Sequence, residues 1–167
     1  TLYTSELLDN QRYEVEVLSG PQTGTEGSLI ENGIERGVHI KIESNLVREI
    51  HPLKDILAFR KILKYLKKNR YQIVHTHSSK AGIIGRWAAW VAGVPTIIHT
   101  VHGWGFHDYQ HSFIRFFYIF AEKLSRYITD RLIAVTLKDI EKGIRAGIGK
   151  REDYTLIRSG IDLHRFT

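Results

Sequence analysis

Residues 71–101 read YQIVHTHSSKAGIIGRWAAWVAGVPTIIHTV, and the change of period inside this stretch decides the fold. Residues 71–76 have the short apolar character of a strand. Residues 81–92 form a run of small residues at helical spacing, closed by Gly93 as a C-terminal cap, and 95–101 are rich in Ile, Thr and Val like a second strand. Two strands joined through a helix run parallel, because the connection must cross back over the sheet before the second strand begins.

The same alternation continues outward. Upstream, 13–18 reads Tyr-Glu-Val-Glu-Val-Leu with period two and stops at Ser19, Gly20 and Pro21; 38–42 alternates after Gly37, and 26–35 between them is a weak helix. Pro52 suits the first turn of a helix, and Ile56, Phe59, Leu63 and Leu66 recur at three- and four-residue spacing as its expected buried stripe. Arg60, Lys61, Lys64, Lys67 and Lys68 fall on its other side, a solvated face first and a contact surface second. Downstream, 113–128 is an aromatic helix whose Phe113, Ile114, Phe116, Phe117 and Phe120 are expected mostly as core, 131–135 a strand, 138–146 a helix ended by Gly147, and 154–157 a last strand. The predicted class is α/β: a Rossmann-like, doubly wound, mostly parallel sheet with helices on both faces, forming one domain over 1–167. The first ten residues read as the end of a helix and the chain contains no methionine, so the strand that opens such a fold is expected upstream of residue 1.

Composition bounds the function. Hydrophobic residues at 43% and charged residues at 25% describe a globular domain, with no disordered or fibrous bias. The absence of cysteine excludes disulfides and thiolate chemistry. No apolar run is long enough to span a bilayer, and the start lacks the layout of a signal peptide, so a cytoplasmic protein is expected. Residues 1–50 carry four Lys/Arg against nine Asp/Glu, and the remainder twenty against nine. The basic later part favours anionic partners, among them nucleic acid, sugar nucleotides, lipid phosphates and an anionic membrane surface, and charge alone does not choose between these.

In a parallel sheet, ligands gather beyond the carboxyl ends of the strands, which directs attention to two loops. The first, His75-Thr76-His77-Ser78-Ser79-Lys80-Ala81-Gly82, places imidazoles, hydroxyls and an ammonium at a helix start. Ser78 or Ser79 is expected to cap that helix, whose free amides suit an anion, and His75 is expected as a hydrogen-bonded core residue. The second, His102-Gly103-Trp104-Gly105-Phe106-His107-Asp108, has glycines that allow close backbone approach, aromatics able to stack on a sugar face or pack inward, and a histidine at the strand end. Two other classes share some of these features. His75 and His77 form an H-x-H pair compatible with a metal-dependent hydrolase, and the basic surface suits a non-catalytic module that binds anions or membranes. Gly149-Lys150 is not a phosphate loop, since Ile144 stands where its first glycine belongs and Arg151 where Ser or Thr should follow.

Five segments together resemble the amino-terminal domain of family 4 glycosyltransferases, enzymes of the GT-B fold. They are Ile73-Val74-His75-Thr76-His77-Ser78-Ser79-Lys80-Ala81-Gly82, Ala92-Gly93-Val94-Pro95, Thr100-Val101-His102-Gly103, Asp130-Arg131-Leu132-Ile133-Ala134-Val135 and Ser159-Gly160-Ile161-Asp162-Leu163-His164-Arg165-Phe166. Ser159-Gly160 stands where the family commonly has Asn-Gly.

The resemblance implies a retaining transferase with a nucleotide-sugar donor, usually working without a metal ion; no cofactor and no nucleic-acid partner are expected. In such enzymes the amino-terminal domain binds the acceptor, and a second domain grips the nucleotide and carries a glutamate pair. Residues 159–167 correspond to the start of the linker to that second domain, and the family's donor-side glycine loop is expected upstream. By the same likeness His102 is the catalytic histidine, and His77, Ser78, Ser79 and Lys80 line the acceptor side; Gly82, Gly103 and Trp104 are expected beside them as acceptor-binding residues. Lys80 suits an acceptor phosphate by its charge. The expected acceptor is lipid-linked or another cell-envelope glycan, in polysaccharide or lipopolysaccharide biosynthesis, with the enzyme cytoplasmic and peripheral on an anionic membrane.

Overall fold

A computed structural model of the chain describes residues 2–21, 30–107 and 110–160. The expected linker beyond Gly160 and the candidate Asp108 lie outside the described residues, as does most of the first half of the expected helix at 26–35. The elements are α1 (Leu2–Leu7), β1 (Glu16–Ser19), α2 (Ile30–Glu35), β2 (His39–Ile42), α3 (Pro52–Asn69), β3 (Ile73–His77), α4 (Ser79–Ala92), β4 (Thr96–Val101), α5 (Ser112–Arg126), β5 (Arg131–Ala134), α6 (Leu137–Arg145) and β6 (Tyr154–Leu156). Strand and helix alternate as the sequence periods require, with boundaries displaced by one to three residues. Every strand pairing is parallel.

The contacts group the chain into two compact units, 1–61 and 62–167. In the first, β1 pairs with β2 in the register Val17 to Ile40, over buried Val38, Leu46 and Ala58. Gly20 has no room for a side chain, because a Cβ there would strike the Leu46 carbonyl. On α3 the buried line runs through Ala58, Ile62 and Leu66, with Phe59 and Leu63 on its flank and Ile56 exposed. The expected stripe is therefore rotated by about one position. The small Ala58 sits at its centre, and Ile56 lies roughly 200° around the helix from Ala58 at about 100° per residue. The five basic residues of the other face are exposed as expected, and Lys61 reaches Glu43 at 3.2 Å.

The second unit holds the sheet β3-β4-β5-β6. Its strands follow one another in sequence, so right-handed crossovers place α4, α5 and α6 on one face. Helix α4 carries glycines at 82 and 85, each about 1 kcal/mol worse for a helix than alanine. The packing explains them. A Cβ on Gly82 would lie 2.5 Å from His99 Cε1, and one on Gly85 3.0 Å from Thr76 Cγ2, so α4 rests directly on β3 and β4. Its end is as expected: Gly93 is left-handed (φ 77°), and its N–H and that of Val94 close the last turn on Trp90 and Ala89. Further along the sheet, Phe106, Leu132, Ala134, Ile140, Ile148 and Tyr154 form the core, with Trp104 and Tyr118 packed against it.

Helix α5 departs from expectation. Phe113, Ile114, Phe116, Phe117 and Phe120, expected mostly as core, are all exposed, from 42% to 73%. The fully buried residues of the inward face are instead polar: Glu122 and Ser125 meet α4, beside the half-buried Tyr118 and Ile119 that pack on the core. Glu122 Oε2 pairs with Arg86 Nη2 at 2.7 Å with both side chains buried, and Ser125 Oγ accepts from Trp87 Nε1 at 3.1 Å. Among the described residues no helix is long and apolar enough to cross a membrane.

Candidate functional site

Strand alternation sorts the histidines. Thr76 and His99 turn toward α4, where its glycines meet them, and His75, His77, Thr100 and His102 share the opposite side of β3 and β4. His99 is deeply buried with its Nδ1 2.9 Å from Thr76 Oγ1, while that hydroxyl also lies 3.3 Å from the Ile98 carbonyl. Donation by Thr76 to the carbonyl leaves its oxygen to accept from His99 Nδ1–H. His99 is thereby a neutral structural residue, held well below the usual histidine range by burial and then by the charge of Arg86.

On the other side, His77 Nδ1 and His102 Nε2 are 3.0 Å apart, and the rings of His75 and His77 lie 4.4 Å apart, centre to centre. His75 Nε2 is 2.7 Å from the buried Thr100 Oγ1. His75 was expected in the core. It is hydrogen-bonded but exposed, because period two turns it to the same side as His77. Burial foremost, then the charges of His75 and His102, lowers His77 to about 3. Partial desolvation of the ring foremost, and then His102, lowers His75; partial desolvation also lowers His102, against an opposing pull from Asp139. At neutral pH each ring is uncharged and offers one hydrogen-bond donor and one acceptor. Such a group orients a hydroxyl better than it delivers a proton.

Ser78 precedes α4 at φ 58° and ψ 160°, with no side-chain capping bond, so neither expected serine cap is formed at that position. This backbone region is one that only glycine enters freely, at a cost of about 1–3 kcal/mol for other residues. The turn is forced because the chain passes from the His77 strand end directly into a helix that lies flat on the sheet. Ser79 is instead a packing partner of the second loop, since a Cβ on Gly105 would lie 2.6 Å from its Oγ. Lys80 is partly buried in the first turn of α4.

His102 directly follows the end of β4 and is exposed, and Gly103 is left-handed (φ 142°), a turn suited to glycine. Trp104 points away from the histidines. Its Nε1 donates to the Asp139 carbonyl at 2.8 Å and its ring packs on the Phe106 core, so it anchors the loop. Phe106 is fully enclosed, and its carbonyl accepts from Lys142 Nζ at 2.8 Å. The structure thus brings His77, Ser78, Ser79, Lys80, His102 and Gly103 to one edge, sets Gly82 behind them against His99, and places Trp104 on the core side. Sequence reasoning missed Thr100 and the Arg86–Glu122 pair; a lone arginine before the buried Ala88 and Ala89 was the available signal. Among the described residues no group of three or more His, Cys, Asp or Glu is arranged to hold a metal ion.

A family model described as Glycosyltransferase Family 4 matches residues 1–165. The chain is 34% identical to the Escherichia coli UDP-Gal:alpha-D-GlcNAc-diphosphoundecaprenol alpha-1,3-galactosyltransferase, over 99% of this chain and 42% of that protein. It is 25% identical to the Staphylococcus aureus capsular polysaccharide biosynthesis glycosyltransferase CapM, over 96% of this chain and 41% of the relative. It thus spans about two fifths of the length of these relatives. The crystal structure of Acinetobacter baumannii MurG has the same fold, with a TM-score of 0.61 at 13% identity, covering 96% of this chain and 41% of MurG.

Proposed function

This chain belongs to glycosyltransferase family 4, and from that premise we propose that it is the acceptor-side domain of a retaining enzyme that moves a sugar from a nucleotide donor to a lipid-linked or other cell-envelope glycan. The observation that carries the proposal is the exposed His102 at the carboxyl end of β4, joined to His77 at the end of the neighbouring strand. The E. coli relative is named for UDP-Gal and a GlcNAc-diphosphoundecaprenol acceptor. A UDP-sugar and a polyprenyl diphosphate acceptor are accordingly the pair to try first. The acceptor sugar sits against His102 and Gly103, and its diphosphate meets Lys80 and the first-turn amides of α4.

Catalysis is then mainly positioning and electrostatics, with His102 orienting the groups at the reaction centre and the second domain supplying the donor grip. No cofactor is part of this reading. In the full-length enzyme, His102→Ala lowers turnover at least tenfold and nearer a hundredfold, roughly 3 kcal/mol of barrier, while thermal stability is kept. Normal turnover in a stable His102→Ala enzyme overturns the assignment.

The exposed aromatics of α5 support a second element of the proposal, peripheral attachment to an anionic membrane. Phe116 and Phe120 stack at 6.1 Å on the surface, and the same helix exposes Arg115 and Lys123. An apolar face flanked by basic residues matches a bilayer with acidic headgroups, each basic residue near it adding about 1 kcal/mol. Attachment brings the site to an acceptor that cannot leave the lipid.

A further inference from the structure

We propose that His77 is the positioning residue for His102: it accepts the Nε2–H of His102 on its own Nδ1, holding the ring so that His102 Nδ1 is left as a bare acceptor for a sugar hydroxyl. The inference rests on the reading of His102 as the reaction-centre histidine. Its basis is the 3.0 Å approach of His77 Nδ1 to His102 Nε2. Two neutral imidazoles facing each other nitrogen to nitrogen share one proton, and the bond made by one nitrogen sets the tautomer of the ring. If His102 donates, both rings are in the Nε2–H form, the more stable tautomer of a free neutral histidine side chain. If His77 donates, both must take the less stable Nδ1–H form, so the first arrangement wins twice over.

The support behind His77 is built. Its ring lies 4.4 Å from that of His75, tilted by 32°, and His75 is tied to the buried Thr100 hydroxyl on β4, the residue that pairs with His77 in the ladder. A ring backed in this way cannot swing aside when substrate enters. It transmits the rigidity of two adjacent strands to His102, which stands in a loop on the far side of Val101.

Ring-nitrogen NMR of histidine-labelled protein at about pH 7.5, above the ordinary histidine range, tests the assignment directly. His102, identified by the signal lost in His102→Gln, is expected to show a protonated Nε2 and an unprotonated Nδ1. In His77→Ala this pattern should collapse to a tautomer average, and in His77→Asn, whose Oδ1 can replace Nδ1 as acceptor, it should persist. Kinetics of the full-length enzyme add the second readout. Loss of the orienting partner should lower kcat about 10-fold or more in His77→Ala with little change in KM, and His77→Asn should recover most of it. A protonated His102 Nδ1, or a His102 spectrum unchanged in His77→Ala, overturns the proposal. So does a rise in KM at constant kcat, which would make His77 an acceptor contact only. The NMR result stands whether or not sugar transfer is found, so failure of the transferase reading is seen separately.

Discussion

Replacing Glu122 by leucine should be among the most damaging single changes available in this fold. Its carboxylate and the Arg86 guanidinium have side-chain exposures of 2% and 0%, and their 2.7 Å bond joins α4 to α5. Burial pushes the Glu122 carboxyl above its usual range, with Arg86 opposing the shift. Arg86 also donates from Nε to the Gly82 carbonyl at 3.0 Å, but its Nη1 has no hydrogen-bond partner among the described residues. The charge is thus balanced almost entirely by Glu122. Glu122→Leu leaves it buried against one carbonyl, and breaking such a pair costs about 3–5 kcal/mol. Against a usual total of about 5–15 kcal/mol that is about a fifth or more of the stability. At about 2–4 °C per kcal/mol for a chain of this size, the melting temperature should fall by roughly 6–20 °C.

Adding Arg86→Met removes the second charge and keeps the volume, so the double variant should return to within about 1–2 kcal/mol of the parent. Urea unfolding followed by circular dichroism measures all four corners of this cycle. A Glu122→Leu cost below about 1 kcal/mol, or a double variant whose loss equals the sum of the singles, refutes the argument that an uncompensated charge is the cause.

The depressed histidines set a pH dependence. An unfolded histidine takes up its proton near pH 6.5 and His77 in the fold only at about 3, so stability is complete above about 6.5 and is lost as the pH falls toward about 3. Thermal melts across that window should decline on acidification, less steeply in His77→Asn; a rise on acidification contradicts the shift. Gly82→Ala gains about 1 kcal/mol of helix propensity but drives a Cβ to 2.5 Å from His99 Cε1, an overpacking that costs about 1–3 kcal/mol. The net effect should be a lower melting temperature, and a more stable variant would show that α4 does not rest on His99. Vesicle sedimentation should show binding to anionic lipid that weakens with salt and with Phe116→Ser or Phe120→Ser. Equal binding to neutral vesicles, or no effect of either substitution, removes α5 as the docking face.

The residues that decide the fold class were legible because their signals are local. The short apolar run at 71–76, the Ile, Thr and Val of 95–101, the small residues over 81–92, and Gly93 at the helix end each act within a few residues, and together they determine β3, α4, β4 and their parallel pairing. Placing candidate residues in the loops after β3 and β4 followed from the same reading, since the carboxyl ends of parallel strands lie on one edge. What alternation does not contain is the identity of the neighbour across the packing. The aromatic period of α5 marks one apolar face, yet only the tertiary structure shows that Glu122 and Ser125 face α4 and the phenylalanines face outward.

The same holds for the particulars of the site. Ser78 looked like a cap, but the geometry of a strand running straight into a helix lying on the sheet puts it at φ 58° with no capping bond. His75 looked like core, and Trp104 like a platform for sugar; the pairing with Thr100 and the bond to Asp139 lie 25 and 35 residues away along the chain. The sequence by itself determined the order, type and direction of the elements, because backbone period and turn chemistry are settled among neighbours. Only the tertiary structure decided which side chains are covered, which histidines touch and which charge is left to a single partner, because burial and pairing depend on residues that the chain brings together from far apart.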